Sequence, residues 1–372
     1  MSTAIKTYKF QLYKNKKNKH LHRCIDTAAS VWNYGIAMHR RYYRLFHKHI
    51  PLNTLQKHIT KVKRTLHPEW KTLNSQAIQD VIERIERSYQ AFFVHVKQKR
   101  HDRKSPPSFK KQERYSSFTL KQNGYAFRSE NRISIMGREY KYSPSRPIEG
   151  TIKTLTVKRN LVGEIFLFVT VKQQRNEVYT RTGNAVGIDF GLKHFLTLDS
   201  GEVIDSPEWY KTSLRKLRQA HREVSRCEKG SRNRRRALMH LERVYEKIRN
   251  QRRDWFFKTA NRLAGEYAFI CVENLDIEQM KRSWGRKISD LAVSEFYSIL
   301  EWEAGKVGST FVKIDKWYPS SKTCHVCGAI NHGLSLNQRT WTCDTCHTEL
   351  DRDINAAINI KREGLAQIGD SL

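Results

Sequence analysis

The sequence has 372 residues, a length that accommodates roughly two to three domains with a buried core in each. Lys and Arg number 69 against 37 Asp and Glu, so the net charge is +32, which favours a polyphosphate partner and nucleic acid first of all. No run approaches the roughly 18 apolar residues of a transmembrane helix, so the sequence excludes a protein that crosses a membrane in this way.

The first half of the chain begins with a strand, continues with helices and returns to strands. Residues 7–13 alternate as an opening strand, and two stripes of apolar residues at spacings of three and four, Leu21–Leu45 and Ile78–Val96, predict packed helices. Residues 104–110 contain two prolines that break the helical period, and short β-rich runs separated by turn residues follow. Because the opening strand needs a partner, we expect it to join these runs in a small sheet or barrel, with the helices as an insertion.

The second half of the chain alternates between strands and helices. Two of its helices are long and basic. The charged side of a helix usually only faces solvent, but in a chain of net charge +32 these two helices favour contact with nucleic acid. The predicted elements are strands within 186–204, basic helices at 207–226 and 235–264, a strand at 267–273, a helix near 290–306, a strand at 310–314 and a final helix after residue 350.

Four cysteines form two CxxC pairs, Cys324 with Cys327 and Cys343 with Cys346, separated by 15 residues. Each pair offers two thiolates from one tight turn, so the spacing predicts a tetrahedral zinc site, closed to water and therefore structural. Two disulfides are the alternative, but the chain begins without an apolar signal segment, which favours a reducing cytoplasm. The remaining cysteines have no paired spacing and are expected to be buried or incidental thiols: Cys24, Cys227 and Cys271.

Acidic residues occur on three elements of the second half. In the predicted strand that contains Asp189, alternation turns this acid to the opposite face from its apolar neighbours, and Glu273 stands at the carboxyl end of a second strand. In the last helix Asp353 shares a face with Ala356 and Ala357, whose small side chains allow close contact with a sheet. The adjacent acid, Asp351, suits the helix N-cap, so we assign a structural role to Asp351 and chemistry to Asp353.

Three carboxylates on adjacent elements can hold two divalent ions about 3.5–4 Å apart, as in enzymes that hydrolyse phosphodiesters. Hard carboxylate oxygens suit Mg²⁺ or Mn²⁺. Taken alone, an Asp on a strand is more often a turn or surface residue, so the prediction depends on the three acids together. The triplet Asp189-Phe190-Gly191 also matches the metal-binding triplet of protein kinases, but the chain lacks the glycine-rich loop and the His-Arg-Asp loop of that family.

The second half resembles TnpB, the family of RNA-guided nucleases of insertion sequences that is ancestral to type V CRISPR effectors. The resemblance is carried by Gly187-Ile-Asp-Phe-Gly-Leu192, Val272-Glu-Asn-Leu275 and Asp351-Arg-Asp-Ile-Asn-Ala-Ala357, which match the three RuvC motifs in order. Tyr318-Pro-Ser-Ser-Lys-Thr-Cys324 and the cysteine pairs lie between the second and third motifs, as in the family. Over residues 1–180 the resemblance is one of architecture.

The resemblance implies an α/β multidomain fold. It comprises an RNase H-like RuvC nuclease domain with an inserted zinc ribbon, preceded by a β-barrel wedge domain that carries an inserted helical recognition lobe. The implied boundaries are 1–14 and 106–180 for the wedge domain, 15–105 for the recognition lobe, 181–317 and 350–372 for the nuclease domain, and 318–349 for the zinc ribbon.

The implied activity is that of an RNA-guided DNA endonuclease that cuts double-stranded DNA next to a short transposon-adjacent motif. The guide RNA comes from the transposon end, and base pairing supplies sequence recognition. We expect one protein monomer per RNA, in a bacterial or archaeal cytoplasm at the nucleoid. Catalysis falls to Asp189, Glu273 and Asp353, which bind Mg²⁺ or Mn²⁺. Three tyrosines are candidates for stacking on bases, although their strand context favours the core: Tyr115, Tyr125 and Tyr140.

Two alternatives remain open at the sequence level. One is a guide-dependent DNA-binding repressor that does not cut, which an altered acidic triad would mark, whereas all three positions here are acidic. The other is a guide-free zinc-ribbon protein that assists transposition. RNA that co-purifies with the protein would separate the two.

Overall fold

A computed structural model describes residues 3–98, 104–174, 180–191, 193–207, 209–276, 285, 291–335 and 338–369. Leu192 of the first motif, the predicted domain-boundary residues 175–179 and the start of the helix predicted near 290 lie outside these ranges. The chain divides into two units, residues 1–176 and 177–372. Within the described ranges, no helix combines the length and apolar character needed to cross a membrane.

The helices of the first unit follow its first strand, β1 (Thr3–Gln11), and pack against one another through apolar stripes. The side chain of Asn74 accepts a hydrogen bond of 2.8 Å from the N–H of Gln76 and so caps the third helix. The two predicted stripes are buried over most of their length, but their last members, Leu45 and Val96, are 58% and 55% exposed and lie outside the core. The helices are α1 (Asn18–Phe46), α2 (Leu52–Thr65) and α3 (Ser75–Lys97), with short 3₁₀ helices at Pro68–Thr72 and Gln112–Arg114.

The strands of the first unit form two antiparallel sheets. The four-stranded sheet has the order β1-β7-β6-β2, and Thr7 of β1 lies opposite Thr170 of β7, so the opening strand pairs with the later strands as predicted. A bridge between Leu12 and Tyr142 extends from β1 to the end of the three-stranded sheet β3-β4-β5. The strands after β1 are β2 (Ser117–Leu120), β3 (Tyr125–Ser129), β4 (Arg132–Ile135), β5 (Arg138–Lys141), β6 (Thr151–Arg159) and β7 (Ile165–Gln174).

Among the three tyrosines considered for stacking, Tyr115 and Tyr140 are buried and Tyr125 is partly buried. Tyr115 and Tyr140 belong to the hydrophobic core of the first unit, and Tyr125 packs against it. The ring of Tyr115 packs on that of Trp32 with 6.0 Å between the ring centroids. The core interpretation of Tyr115 and Tyr140 is therefore confirmed.

The second unit contains a five-stranded mixed sheet of order β10-β9-β8-β11-β12. The strands β8, β11 and β12 are parallel, whereas β9 and β10 run antiparallel at one edge. Their bounds are β8 (Ala185–Asp189), β9 (Leu196–Leu198), β10 (Val203–Ile204), β11 (Phe269–Val272) and β12 (Thr310–Lys313).

The two faces of this sheet carry different helices, as the alternation of side chains predicts. Ile188 and Val272 join the large core on one face, which includes Phe256 and Phe296 from two helices. Cys271 packs with Ile360 of the last helix on the other face. The helices are α4 (Trp209–Arg226), α5 (Arg232–Glu266), α6 (Val293–Val307) and α7 (Arg352–Gly369), and a hairpin of β13 (Thr340–Thr342) and β14 (Glu349–Asp351) precedes the last of them.

The two basic helices are present as predicted. The side chain of Ser231 accepts a hydrogen bond of 3.1 Å from the N–H of Arg234 and caps α5. The segment after this cap exposes most of its arginines, including Arg232, Arg235 and Arg236. These helices therefore combine a buried apolar stripe with a positively charged outer face.

Candidate active site and cysteine cluster

Two of the three predicted acids lie at the same end of neighbouring parallel strands. Ile188 of β8 lies opposite Val272 of β11. Asp189 and Glu273 follow these two residues; Asp189 is buried and Glu273 is partly buried. Because parallel strands place their carboxyl ends at one edge of a sheet, the register brings these two acids to the same edge.

The third acid, Asp353, reaches this edge from the first turn of α7, which packs on β8. The contact is close because Gly187 has no side chain: a β-carbon there would lie 1.9 Å from the carbonyl oxygen of Ala357. Asp351 accepts hydrogen bonds of 2.9 Å at Oδ1 from the N–H groups of Asp353 and Ile354. The predicted capping role of Asp351 is confirmed, and it leaves the Asp353 carboxylate available for other contacts.

The electrostatics of the site agree with this convergence. Burial, followed by the negative charges of Glu273 and Asp353, raises the pKa of Asp189 to about 8, and the positive charges of Arg352 and Arg339 oppose the shift. Burial also raises the pKa of Glu273, again opposed by Arg352. The charges of Glu273 and Asp353 therefore act on Asp189, and a cation would relieve the mutual repulsion of the three predicted acids. Within the described residues, however, their carboxylate oxygens do not form a group in which all atoms lie within 4.8 Å of one another.

Two further residues belong to this site and were not expected from the sequence. Arg339 Nη1 lies 3.0 Å and 3.1 Å from the two carboxylate oxygens of Asp353. Tyr297 of α6 is buried, and burial together with the charges of Glu273 and Asp189 raises its pKa far above the usual range. Tyr297 resembles any apolar-stripe residue of a helix, and Arg339 any basic residue of a loop, so neither carried a distinguishing signal.

The four cysteines of the two pairs converge within the second unit. Their Sγ atoms all lie within 4.8 Å of one another, with 3.6 Å between Cys324 and Cys346 and 3.5 Å between Cys327 and Cys343. These distances exceed a disulfide bond of about 2.05 Å and approach the edge of about 3.8 Å expected for a tetrahedron of thiolates around zinc. The cluster can therefore hold a metal ion of the predicted class.

Two asparagines of α7 hold the first cysteine pair against this helix. Asn355 Nδ2 donates to the Thr323 carbonyl at 2.8 Å, and Asn359 Nδ2 donates to the same oxygen at 2.6 Å. Asn355 Oδ1 in turn accepts from the N–H of His325 at 2.9 Å. Both asparagines are buried. The sequence signal that could have identified them is two amide side chains spaced four residues apart, one helical turn, beside the apolar residues of the last helix.

The remaining cysteines agree with the sequence interpretation. Cys24 and Cys271 are buried and Cys227 is partly buried. Burial raises the pKa of Cys24 and of Cys271 to about 11, so both are protonated and unreactive near neutral pH. No cysteine outside the two pairs joins a candidate metal cluster within the described residues.

Two protein-family profiles match the second half of the chain in consecutive segments. Residues 168–283 match the IS605 OrfB family, described as "Probable transposase", and residues 294–360 match the "Cas12f1-like, TNB domain". A protein of Escherichia coli strain K12, InsQ, is 24% identical over 382 residues, covering 97% of this chain and 93% of InsQ. These matches relate the chain to the TnpB-like proteins, in agreement with the resemblance of its motifs.

Other similarities of the chain agree with that relationship. A protein of Streptomyces pristinaespiralis is 39% identical over 226 residues, covering 60% of this chain and 56% of the relative, so the match spans little more than half of that protein. Both this relative and InsQ carry the curated name of a candidate RNA-guided DNA endonuclease. The cryo-EM structure of the Cas12f1–sgRNA–target DNA complex has a TM-score of 0.60 at 14% identity and covers 96% of this chain and 99% of that one, which confirms the α/β multidomain fold.

Proposed function

We propose that the chain is a guide-RNA-dependent DNA endonuclease of an insertion sequence, which cuts double-stranded DNA next to a short transposon-adjacent motif. The observation that carries the proposal is the convergence of Asp189, Glu273 and Asp353 at one edge of the sheet, set by the β8–β11 register and by the close contact of α7 with Gly187. The curated names of the relatives and the guide-RNA complex of Cas12f1 support the same activity.

The donor set of the site fits hard divalent cations. Asp189, Glu273 and Asp353 offer carboxylate oxygens, the ligands that Mg²⁺ and Mn²⁺ prefer, and their mutual repulsion is relieved by positive charge. When bound, such ions lower the pKa of a water molecule and offset the charge that develops on the leaving oxygen of a phosphodiester. We therefore assign these three residues as the catalytic metal ligands.

The protein's own groups position these ligands. The rigid strands β8 and β11 fix Asp189 and Glu273, and the cap at Asp351 fixes the first turn that carries Asp353. Tyr297 is buried where the charges of the two strand acids act on it. Arg339 occupies the Asp353 carboxylate, so it competes with a cation for that ligand.

The cysteine cluster is proposed as a structural zinc site, with all four ligands supplied by protein and none left open for substrate. Together with the three-acid site, it supports a RuvC-type nuclease domain of RNase H fold at 181–317 and 350–372 with an inserted zinc ribbon at 318–349. The first unit is proposed to contain the β-barrel wedge domain, 1–14 and 106–180, and the helical recognition lobe, 15–105.

The partners follow from charge as well as from the relatives. The exposed arginines of α5 and the net charge of +32 support binding of a guide RNA from the transposon end, with one protein copy for each RNA. The DNA substrate implies action at the nucleoid, in the cytoplasm. Tyr115 and Tyr140 are buried, so these two tyrosines are not available for base stacking.

The test is a plasmid cleavage assay with the full chain and its co-purified RNA in Mg²⁺. Asp189→Asn, Glu273→Gln and Asp353→Asn should each reduce cutting to background while RNA loading and target binding persist, since the substitutions remove metal ligands and not backbone contacts. Asp254→Asn, at an exposed acid of α5 paired with Lys258 at 2.7 Å, is the matched control and should cut as wild type does.

Three outcomes would contradict the proposal in different ways. Wild-type protein that binds the guided target without ever cutting it would favour the repressor. Protein that purifies free of RNA, and binds transposon-end RNA no better than random RNA, would favour the guide-free accessory. Full cleavage by all three acid variants would remove the carboxylate site from the mechanism.

A further inference from the structure

A second group of metal-ligand side chains lies among the helices of the first unit. His39 belongs to α1, His49 to the loop after α1, and Glu86 to α3. One ring nitrogen from each histidine and one oxygen of Glu86 all lie within 4.8 Å of one another. Three different segments thus bring two imidazoles and a carboxylate to one point.

The chain returns to this point because α1 ends in a left-handed turn. His47 adopts φ 52°, and its N–H bonds to the Tyr43 carbonyl at 2.8 Å, so the chain reverses after the helix. The reversal stacks the His49 ring on the His39 ring with 4.6 Å between centroids and 26° between planes. Ile50, which is 3% exposed, anchors the loop in the core.

One of the three ligands lacks the partner that its burial demands. The His39 side chain is 4% exposed, and its Nε2 atom has no hydrogen-bond partner among the described residues. Leaving such a polar atom buried and unpaired destabilises the folded protein. The nearest ring besides His49 is Tyr89, at 4.5 Å between centroids, and it makes no hydrogen bond to this nitrogen.

The carboxylate of the group is already oriented. Gln90 Nε2 donates to Oε1 of Glu86 at 2.7 Å, which directs the other oxygen, Oε2, to His49 Nε2 at 2.8 Å. Carboxylates that bind metals are commonly oriented in this way, by a hydrogen bond from a neighbouring residue to one oxygen while the other oxygen faces the remaining ligands. A tetrahedral site needs about 3.4 Å between such donor atoms, so small side-chain rotations of the three residues suffice.

We propose that His39, His49 and Glu86 form a binding site for a zinc-class divalent transition metal. Two imidazoles and one carboxylate are a donor set that binds Zn²⁺ with three protein ligands and leaves a fourth position for water. The ion would satisfy the buried nitrogen of His39 and join α1, its following loop and α3. This site is independent of the cysteine cluster and of the proposed nuclease activity.

The test measures zinc binding to the full-length protein whose cysteine cluster is already loaded, by titration calorimetry with Zn²⁺ and by metal analysis after desalting. Wild type should bind one more zinc per chain than His49→Gln or Glu86→Gln, and added Zn²⁺ should raise its melting temperature but not that of the variants. Both substitutions keep a side chain of similar size at partly exposed positions, so circular dichroism should report an unchanged fold.

A matched control separates this site from general histidine binding. His67 and Glu69 form a pair with the same 2.8 Å contact, yet within the described residues they belong to no group of three metal-ligand side chains. His67→Gln should retain the additional zinc. Equal loss in His67→Gln and His49→Gln would mean an adventitious ion only, and a wild type that binds no zinc beyond the cysteine cluster would overturn the proposal.

Discussion

Replacing Gly187 by alanine tests how the last helix is held against the sheet. A β-carbon at this position would lie 1.9 Å from the Ala357 carbonyl oxygen, 2.7 Å from the Lys361 nitrogen and 2.8 Å from the Lys361 β-carbon. The first contact falls more than 1 Å short of the 3.0 Å that real contacts keep, and the obstacle is helix backbone, not a flexible side chain. Strand β8 and helix α7 must therefore move apart.

The expected loss can be estimated from two effects. Overpacking of a rigid core costs typically 1–3 kcal/mol, and because backbone is the obstacle here we expect about 3 kcal/mol, measured as the free energy of unfolding in urea. The same displacement moves Asp353 away from Asp189, and a misplacement of about 1 Å at a catalytic group can cost about 10²-fold in rate. Plasmid cleavage should therefore fall about 100-fold even under conditions where the variant is folded.

Gly305→Ala is the control for this experiment. Gly305 is exposed in α6, with no atom within 4 Å of an added β-carbon, so alanine should stabilise the protein by about 0.5–1 kcal/mol and leave cleavage unchanged. A Gly187→Ala protein as stable and as active as wild type would refute the close contact between α7 and β8, and with it the convergence of the three acids.

Four further outcomes are expected. Asp351→Ala should lower the free energy of unfolding by about 0.5–2 kcal/mol through the lost cap but leave plasmid cleavage measurable; an inactive yet stable variant would contradict the division of roles with Asp353. Cys343→Ser should release the structural zinc, and a metal analysis that still finds full occupancy of the cysteine cluster would disprove this. Arg339→Gln should lower the Mg²⁺ concentration for half-maximal cleavage several-fold, because the guanidinium 3.0 Å from Asp353 no longer competes; an unchanged Mg²⁺ requirement would count against the competition. Without added Mg²⁺, the gain in melting temperature from Asp189→Asn should increase as the pH rises from 3.8 to about 8. Burial and the neighbouring acids raise the pKa of Asp189 in the folded state, so the wild-type protein loses stability over this pH range and the asparagine variant does not. A gain in melting temperature that is independent of pH would argue against this cause.

The sequence predicted those features that depend on local spacing. The CxxC pairs predicted the four-sulfur cluster, since two tight turns that each offer two thiolates can meet around one metal ion. The alternation around Asp189 predicted the two faces of β8, and the acid just ahead of the last helix predicted its cap. The partner of the opening strand was also inferred correctly, because an edge strand needs a hydrogen-bonded neighbour.

The sequence did not predict where helices end their contacts or which elements lie between the clearest patterns. Leu45 and Val96 continue an apolar period, yet they are exposed, because period alone does not say where a helix leaves its partner. The helix α2 was not predicted as a separate element. The catalytic assignment of the three acids, the wedge and recognition-lobe boundaries and the identity of the metals stay predictions.

What the sequence determined by itself is the chemistry available: four thiolates, three acids in RuvC-like motifs and a charge suited to nucleic acid. Tertiary structure alone decided which further groups come together. Arg339 reaches Asp353 because the β13–β14 hairpin folds back on the start of α7, and His39, His49 and Glu86 meet because a left-handed turn at His47 reverses the chain. Such contacts depend on reversals of the backbone and on packing between segments that are distant in the sequence. The local periodicity of the sequence therefore does not indicate them.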